Sequence, residues 1–175
     1  MSFRNAPLAV VHDVDKSTLL TPEIRAEIDT HVAKYPPEWK QSAVMPALTI
    51  VQDHNGGWLS KDLMDQIAAY LDMPEVAVYE VATFYAMYDL EPVGRHKICI
   101  CNSVSCMLNG SEALLAHIER RHGVAPGGTS KDGKFTVKEF ECLGACRDAP
   151  AVLVDKTYHE SVTKDDIDKI ISKLD

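Results

Sequence analysis

The stretch HKICICNSVSC, residues 96–106, opens as a strand and closes as a loop, and it sets Cys101 and Cys106 on either side of that change. Ile98 and Ile100 alternate with Cys99 and Cys101, the period of two that gives a strand two unlike faces. A similar arrangement returns downstream. FTVKEFEC, residues 135–142, reads as a strand ending at Cys142, and Cys146 follows in the turn LGACRDAP, which a proline closes.

Between these two segments Ser111 is expected to cap a helix that turns Leu114, Leu115 and Ile118 inward. Gly123 stands just past its end, where glycine enters the left-handed region without steric cost. AVLVD, residues 151–155, reads as a third strand with residues 158–162 as its hairpin partner. Thr163 and Asp166 have the spacing of a capping box before an apolar stripe of Ile167, Ile170, Ile171 and Leu174. The second half therefore reads β-α-β-β-α, a small thioredoxin-like layer.

Upstream of Val93 the pattern is helical. Thr21 and Pro22 suit a helix start, and the helix runs to about Lys34 before Tyr35-Pro36-Pro37. Val44, Leu48, Ile50 and Val51 share one helical face, Ser60 caps a helix carrying Leu63, Ile67 and Leu71, and Val78, Val81 and Ala82 mark another after Pro74. The expected class is α+β: an arm over residues 1–20, a helical bundle over 21–90 and a thioredoxin-like domain over 91–175.

Composition excludes several functions. With 175 residues and 46% hydrophobic composition the chain can bury an ordinary core. A formal net charge of −8 is unsuited to nucleic acid, which needs clustered cations, and suits a protein partner instead. No apolar run approaches the ~18 residues of a membrane span, and the N-terminus lacks the features of a signal peptide or organelle presequence. A cytoplasmic chain with reduced cysteines is the expectation.

Two strand ends that each supply a cysteine pair can gather four thiolates in one small volume. C-x₄-C with C-x₃-C is wider than the C-x₂-C pairs usual in structural zinc sites and better suits two irons that each take two cysteines. A zinc-stabilised interaction module and plain core cysteines remain as alternatives. No C-x-x-C dithiol, Walker loop or G-x-G-x-x-G is present, so neither thioredoxin chemistry nor binding of NADH or flavin by this chain is expected.

CNSVSC and CLGAC, together with VYEVATFYAMY, PVGRHKI, YPPEWKQSAVMPAL and NGGWL, make the chain resemble the small [2Fe–2S] subunits of the NADH-dehydrogenase module of respiratory complex I. The resemblance runs from about Thr21 to the C-terminus. It implies a thioredoxin-like [2Fe–2S] ferredoxin domain behind a helical bundle, with Cys101, Cys106, Cys142 and Cys146 as ligands of one [2Fe–2S] cluster. It also implies a flavoprotein partner that oxidises NADH and carries FMN and a [4Fe–4S] cluster. The whole would be part of a larger respiratory complex, peripheral on the cytoplasmic side of a bacterial inner membrane and without direct membrane insertion. Related subunits serve NAD-linked hydrogenases and formate dehydrogenases. All-cysteine centres of this kind lie at low potential, on the order of −400 mV.

Other residues carry expectations of their own. Cys99 departs from the family's pattern and is read as a small packed thiol. Arg147, directly after a ligand, is placed to favour a reduced cluster unless solvent screens it. Pro150 stands where thioredoxin-like folds often carry a cis proline. VYEVATFYAMY reads as a buried bundle helix, with an interface role for Phe84, Tyr85 and Tyr88 as the competing reading.

Overall fold

The structure, a computed structural model, describes residues 19–175. The expected arm over 1–20 falls almost entirely outside them. Thr21 accepts a hydrogen bond from the Ile24 amide and starts α1 (Pro22–Val32), which buries Ile24 and Ile28. A 3₁₀ stretch (Pro37–Ala43) leads into α2 (Val44–His54), whose Ala47, Leu48 and Val51 are buried. Ser60 caps α3 (Lys61–Tyr70), and Pro74 precedes α4 (Glu75–Phe84). The inward residues recur at helical spacing, so the four helices share one core around Ile28, Leu48, Leu59, Ile67, Leu71 and Val78.

The second half is built on β1 (His96–Cys101), β2 (Phe135–Phe140), β3 (Val152–Val154) and β4 (Thr157–His159), in the order β2-β1-β3-β4. β1 and β2 are parallel, and the crossover that parallel pairing requires holds α5 (Val104–Leu108) and α6 (Ser111–His122). β3 returns antiparallel to β1, and β4 folds back on β3. α7 (Lys164–Lys173) starts with the full capping box of Thr163 and Asp166. Ile98, Ile100, Val137 and Val152 pack with Leu114, Leu115, Ile118, Ile167 and Ile171 in a second core. The opposite sheet face, with Lys97, Cys99 and Cys101 on β1, meets the helical half and the cysteine loops. The close approach of the first two strands depends on Gly94, where a Cβ would lie 2.7 Å from the Phe135 backbone.

Several local expectations shift. Gly110, with φ of +96°, is the N-cap of α6, and Ser111 is its first helical residue with a buried hydroxyl that has no partner among the described residues. The reason is that α5 ends at Leu108 and leaves only Asn109 and Gly110 for the turn between helices, a reversal glycine can make. β2 stops at Phe140, short of Cys142, because β1 ends opposite it at Cys101. The hairpin partner of β3 begins at Thr157 and ends at His159, short of Val162. The Ala149–Pro150 peptide is cis. The aromatic set divides: Tyr88 is buried and donates to the Met45 carbonyl, while Phe84 is 80% exposed.

Candidate metal centre

Cys101 is the last residue of β1, and its amide donates to the Ala151 carbonyl at 3.1 Å. Beyond it the chain turns through Asn102 and Ser103 into α5, a single helical turn that the spacing of residues 101–106 did not announce. That turn rotates Cys106 inward, so both residues are 1% exposed and pack with Leu143 and Ala151. The second loop leaves β2 at Phe140, and Gly144, at φ of +77°, lets it reverse before a 3₁₀ turn over Cys146–Asp148. Cys142 and Cys146 are exposed.

Hydrogen bonds hold the loops against one another. Ser103 Oγ donates to the Glu141 carbonyl, and Ser105 Oγ donates to the Cys146 carbonyl at 3.2 Å. The serines of CNSVSC thus grip the second loop at both ends of its cysteine pair. Cys101 Sγ lies 3.6 Å from the Glu141 carbonyl, and Tyr158 Oη donates to the Leu143 carbonyl at 3.0 Å from the far side. Sequence reasoning missed Ser103 and Ser105; two hydroxyls inside a cysteine loop were the available signal.

The electrostatics of the buried pair diverge. Burial pushes the Cys101 thiol up, but the Leu143 and Ser103 amides, with the Cys106 and Ser103 side chains, outweigh it and hold the group below the usual thiol range. Burial pushes the Cys106 thiol up, and negative charge on Cys101 and Cys146 adds to this despite the Ala151 amide. Amide donors aimed at a sulfur are what a thiolate bound to iron needs, so the donor set fits an iron–sulfur cluster. Among the described residues no group of three or more His, Cys, Asp or Glu is placed to hold one metal ion. A site made of two pairs, one for each iron, does not require that convergence.

Cys99 is 7% exposed on the same strand face as Cys101, and burial pushes its thiol up against the pull of Lys138 and Lys97. It is a packed thiol. The Arg147 side chain is 95% exposed with Nε 3.9 Å from the Asp148 carboxylate, so solvent and its own neighbour screen it. Among the described residues no helix is long and apolar enough to cross a membrane.

Comparison with known proteins identifies the family of the chain. The E subunit of NADH-quinone oxidoreductase from Rickettsia conorii is 44% identical over 143 residues, which cover 82% of this chain and 86% of that protein. The E 2 subunit of NADH-quinone oxidoreductase from Rhizobium meliloti is 43% identical over 151 residues, 86% of this chain and 88% of that protein. A crystal structure of an NAD⁺-reducing [NiFe]-hydrogenase in the air-oxidised state matches 63% of this chain with a TM-score of 0.56 and 24% identity. That match spans 19% of the hydrogenase chain and shows a shared fold. Residues 28–175 match the thioredoxin-like [2Fe–2S] ferredoxin family, and the chain belongs to that family.

Proposed function

We infer that this chain is the electron-transfer subunit of an NADH:quinone oxidoreductase and that Cys101, Cys106, Cys142 and Cys146 hold its single [2Fe–2S] cluster. The observation that carries the reading is the pair of cysteine loops, cross-tied through Ser103 and Ser105, in a chain 44% identical to an NADH-quinone oxidoreductase subunit over most of its length. The division into a helical bundle over 21–90 and a cluster domain over 91–175 belongs to the same proposal, supported by a separate apolar core in each half.

When bound, a [2Fe–2S] cluster exchanges one electron at a time and cannot accept a hydride, so two-electron oxidation of NADH falls to a flavin on another subunit. The partner is a flavoprotein that binds NADH, FMN and a [4Fe–4S] cluster, within a complex peripheral to the cytoplasmic side of a bacterial membrane. The residues of this chain bind and orient. The Leu143 and Ser103 amides favour negative charge on the Cys101 sulfur, and the Cys101–Leu143–Ala151 packing keeps water from the inner pair. Cys142 and Cys146 are exposed, and α5, which carries Cys106 and is tied to the second loop through Ser105, presents Val104 at 68% and Leu108 at 77% exposure. Apolar side chains beside such a site suit a docked protein. A structural zinc site favours tight C-x₂-C pairs, so the wider C-x₄-C and C-x₃-C loops of this chain disfavour a zinc module.

The test is visible absorption and low-temperature EPR of the chain purified anaerobically, before and after dithionite. A red-brown protein that gains a spin-one-half signal on reduction is the expected result. A colourless, EPR-silent protein holding one zinc per chain would overturn the reading.

A further inference from the structure

Three charged side chains meet where the helical half rests on the sheet, and the thiol site uses none of them. Lys97 Nζ on β1 lies 3.1 Å from Asp89 Oδ2, and Lys138 Nζ on β2 lies 2.6 Å from Asp89 Oδ1. The Asp89 side chain is 11% exposed and those of Lys97 and Lys138 are 24% and 17% exposed. Lys138 also donates to the Ala86 carbonyl at 2.9 Å and Lys97 to the Gly57 carbonyl at 3.3 Å, so both reach into the helical half. From the other side the buried Gln52 accepts from the Asp89 amide at 2.8 Å and donates to the Met87 carbonyl at 3.1 Å.

Two ammonium groups against one carboxylate leave one surplus positive charge in a mostly dehydrated place. Burying ions this way costs desolvation that the mutual attraction only partly offsets, so the group is a poor device for stability alone. Its position suggests another use. Side chains alternate along a strand, so Lys97, Cys99 and Cys101 share one face, and in the parallel register Lys138 stands directly opposite Cys99. With about 3.3 Å rise per residue and about 4.8 Å between strands, the Lys138 backbone is roughly 8 Å from that of Cys101 across the sheet. A charge held there is screened far less than one in solvent, such as that of Arg147.

We propose that the Lys97–Asp89–Lys138 group positions the helical half on the cysteine-bearing face and supplies a fixed surplus positive charge beside the cluster, favouring its reduced state. This rests on the electron-carrier reading above. Acting through charge, the carboxylate and the ammonium groups must move the redox equilibrium in opposite directions. A clamp without electrostatic reach would shift it the same way for both, or not at all.

The experiment is a redox titration followed by EPR on the full chain with its cluster, at about pH 6.5, well below the ordinary lysine range. Asp89→Asn keeps the shape and removes the negative charge. It is expected to raise the ratio of reduced to oxidised cluster at a fixed ambient potential by roughly three- to tenfold. Lys138→Met is expected to lower that ratio by a similar factor, while Asp89→Glu and Lys138→Arg stay near the wild type. Both charge-removing variants also lower the unfolding temperature. Shifts of the same sign, or none, in variants with intact cluster content would overturn the proposal and leave the electron-carrier reading standing. Should Asp89→Asn fail to fold, Lys97→Met and Lys138→Met must both lower the ratio, and an unchanged ratio in either overturns the proposal. A wild-type chain without a cluster removes the reading and the proposal together.

Discussion

Cys101 and Cys106 are each 1% exposed, whereas Cys142 and Cys146 lie at the surface, although each pair starts at or just beyond the end of a strand. The contrast arises in the loops. The first contains α5, whose one turn carries Cys106 back under the sheet end and leaves Val104 and Leu108 outward. The second contains Gly144 and a 3₁₀ turn, which reverse the chain without folding its cysteines inward. One side of the site is therefore made by the folding of the core, and the other rests on the first through Ser103, Ser105 and Tyr158. Similar spacing in sequence does not mean similar environment.

Serine substitution tests this contrast most severely. Replacing any of the four cysteines removes a thiolate, and bound iron and visible absorption are expected to fall close to zero in all four variants. The cluster-free proteins should then divide. Cys101→Ser and Cys106→Ser bury a hydroxyl and should lower the unfolding free energy by about 1–3 kcal/mol, while Cys142→Ser and Cys146→Ser should stay within about 0.5 kcal/mol of the unsubstituted chain. Equal losses in urea titration would break the distinction.

Alkylation of the native, cluster-free chain reads the same contrast without substitution. With iodoacetamide and mass spectrometry, Cys142 and Cys146 should react first, and Cys99, Cys101 and Cys106 at least about tenfold more slowly. Within the buried pair Cys101 should precede Cys106, because amide donors hold its thiol below the usual range while burial pushes that of Cys106 up. The reverse order would contradict the hydrogen bonding assigned to Cys101.

The smallest effect concerns the tie behind the second loop. Tyr158→Phe removes the hydrogen bond to the Leu143 carbonyl from a side chain that is 53% exposed, and a loss of about 0.5 kcal/mol is expected. Iron should leave the variant faster when a chelator is added. An unchanged rate would mean that Ser103 and Ser105 hold the loop without it.

The α-helices of the first half were legible because Thr21 and Ser60 cap helices locally and most inward residues recur at helical spacing, but the 3₁₀ stretch over Pro37–Ala43 carried no such signal. The strands were legible in kind but not in extent: β2 ends at Phe140, where its partner ends, and no residue of FTVKEFEC marks that point. α5 was missed because its five residues, Val104–Leu108, are too few to show a period. The Asp89 group was invisible because Asp89, Lys97 and Lys138 come from three separate segments and no local pattern links them.

Caps, apolar periods and cysteine spacing are local, so the α+β order of elements, many of the core residues and the set of candidate thiols could be read from the chain alone. Which thiols are buried, which serines tie the loops and which charges meet beneath the cysteine-bearing face emerged only in the folded chain. Those properties depend on distances between segments far apart in the chain, and such distances exist only once the sheet has paired and the helical half has packed against it.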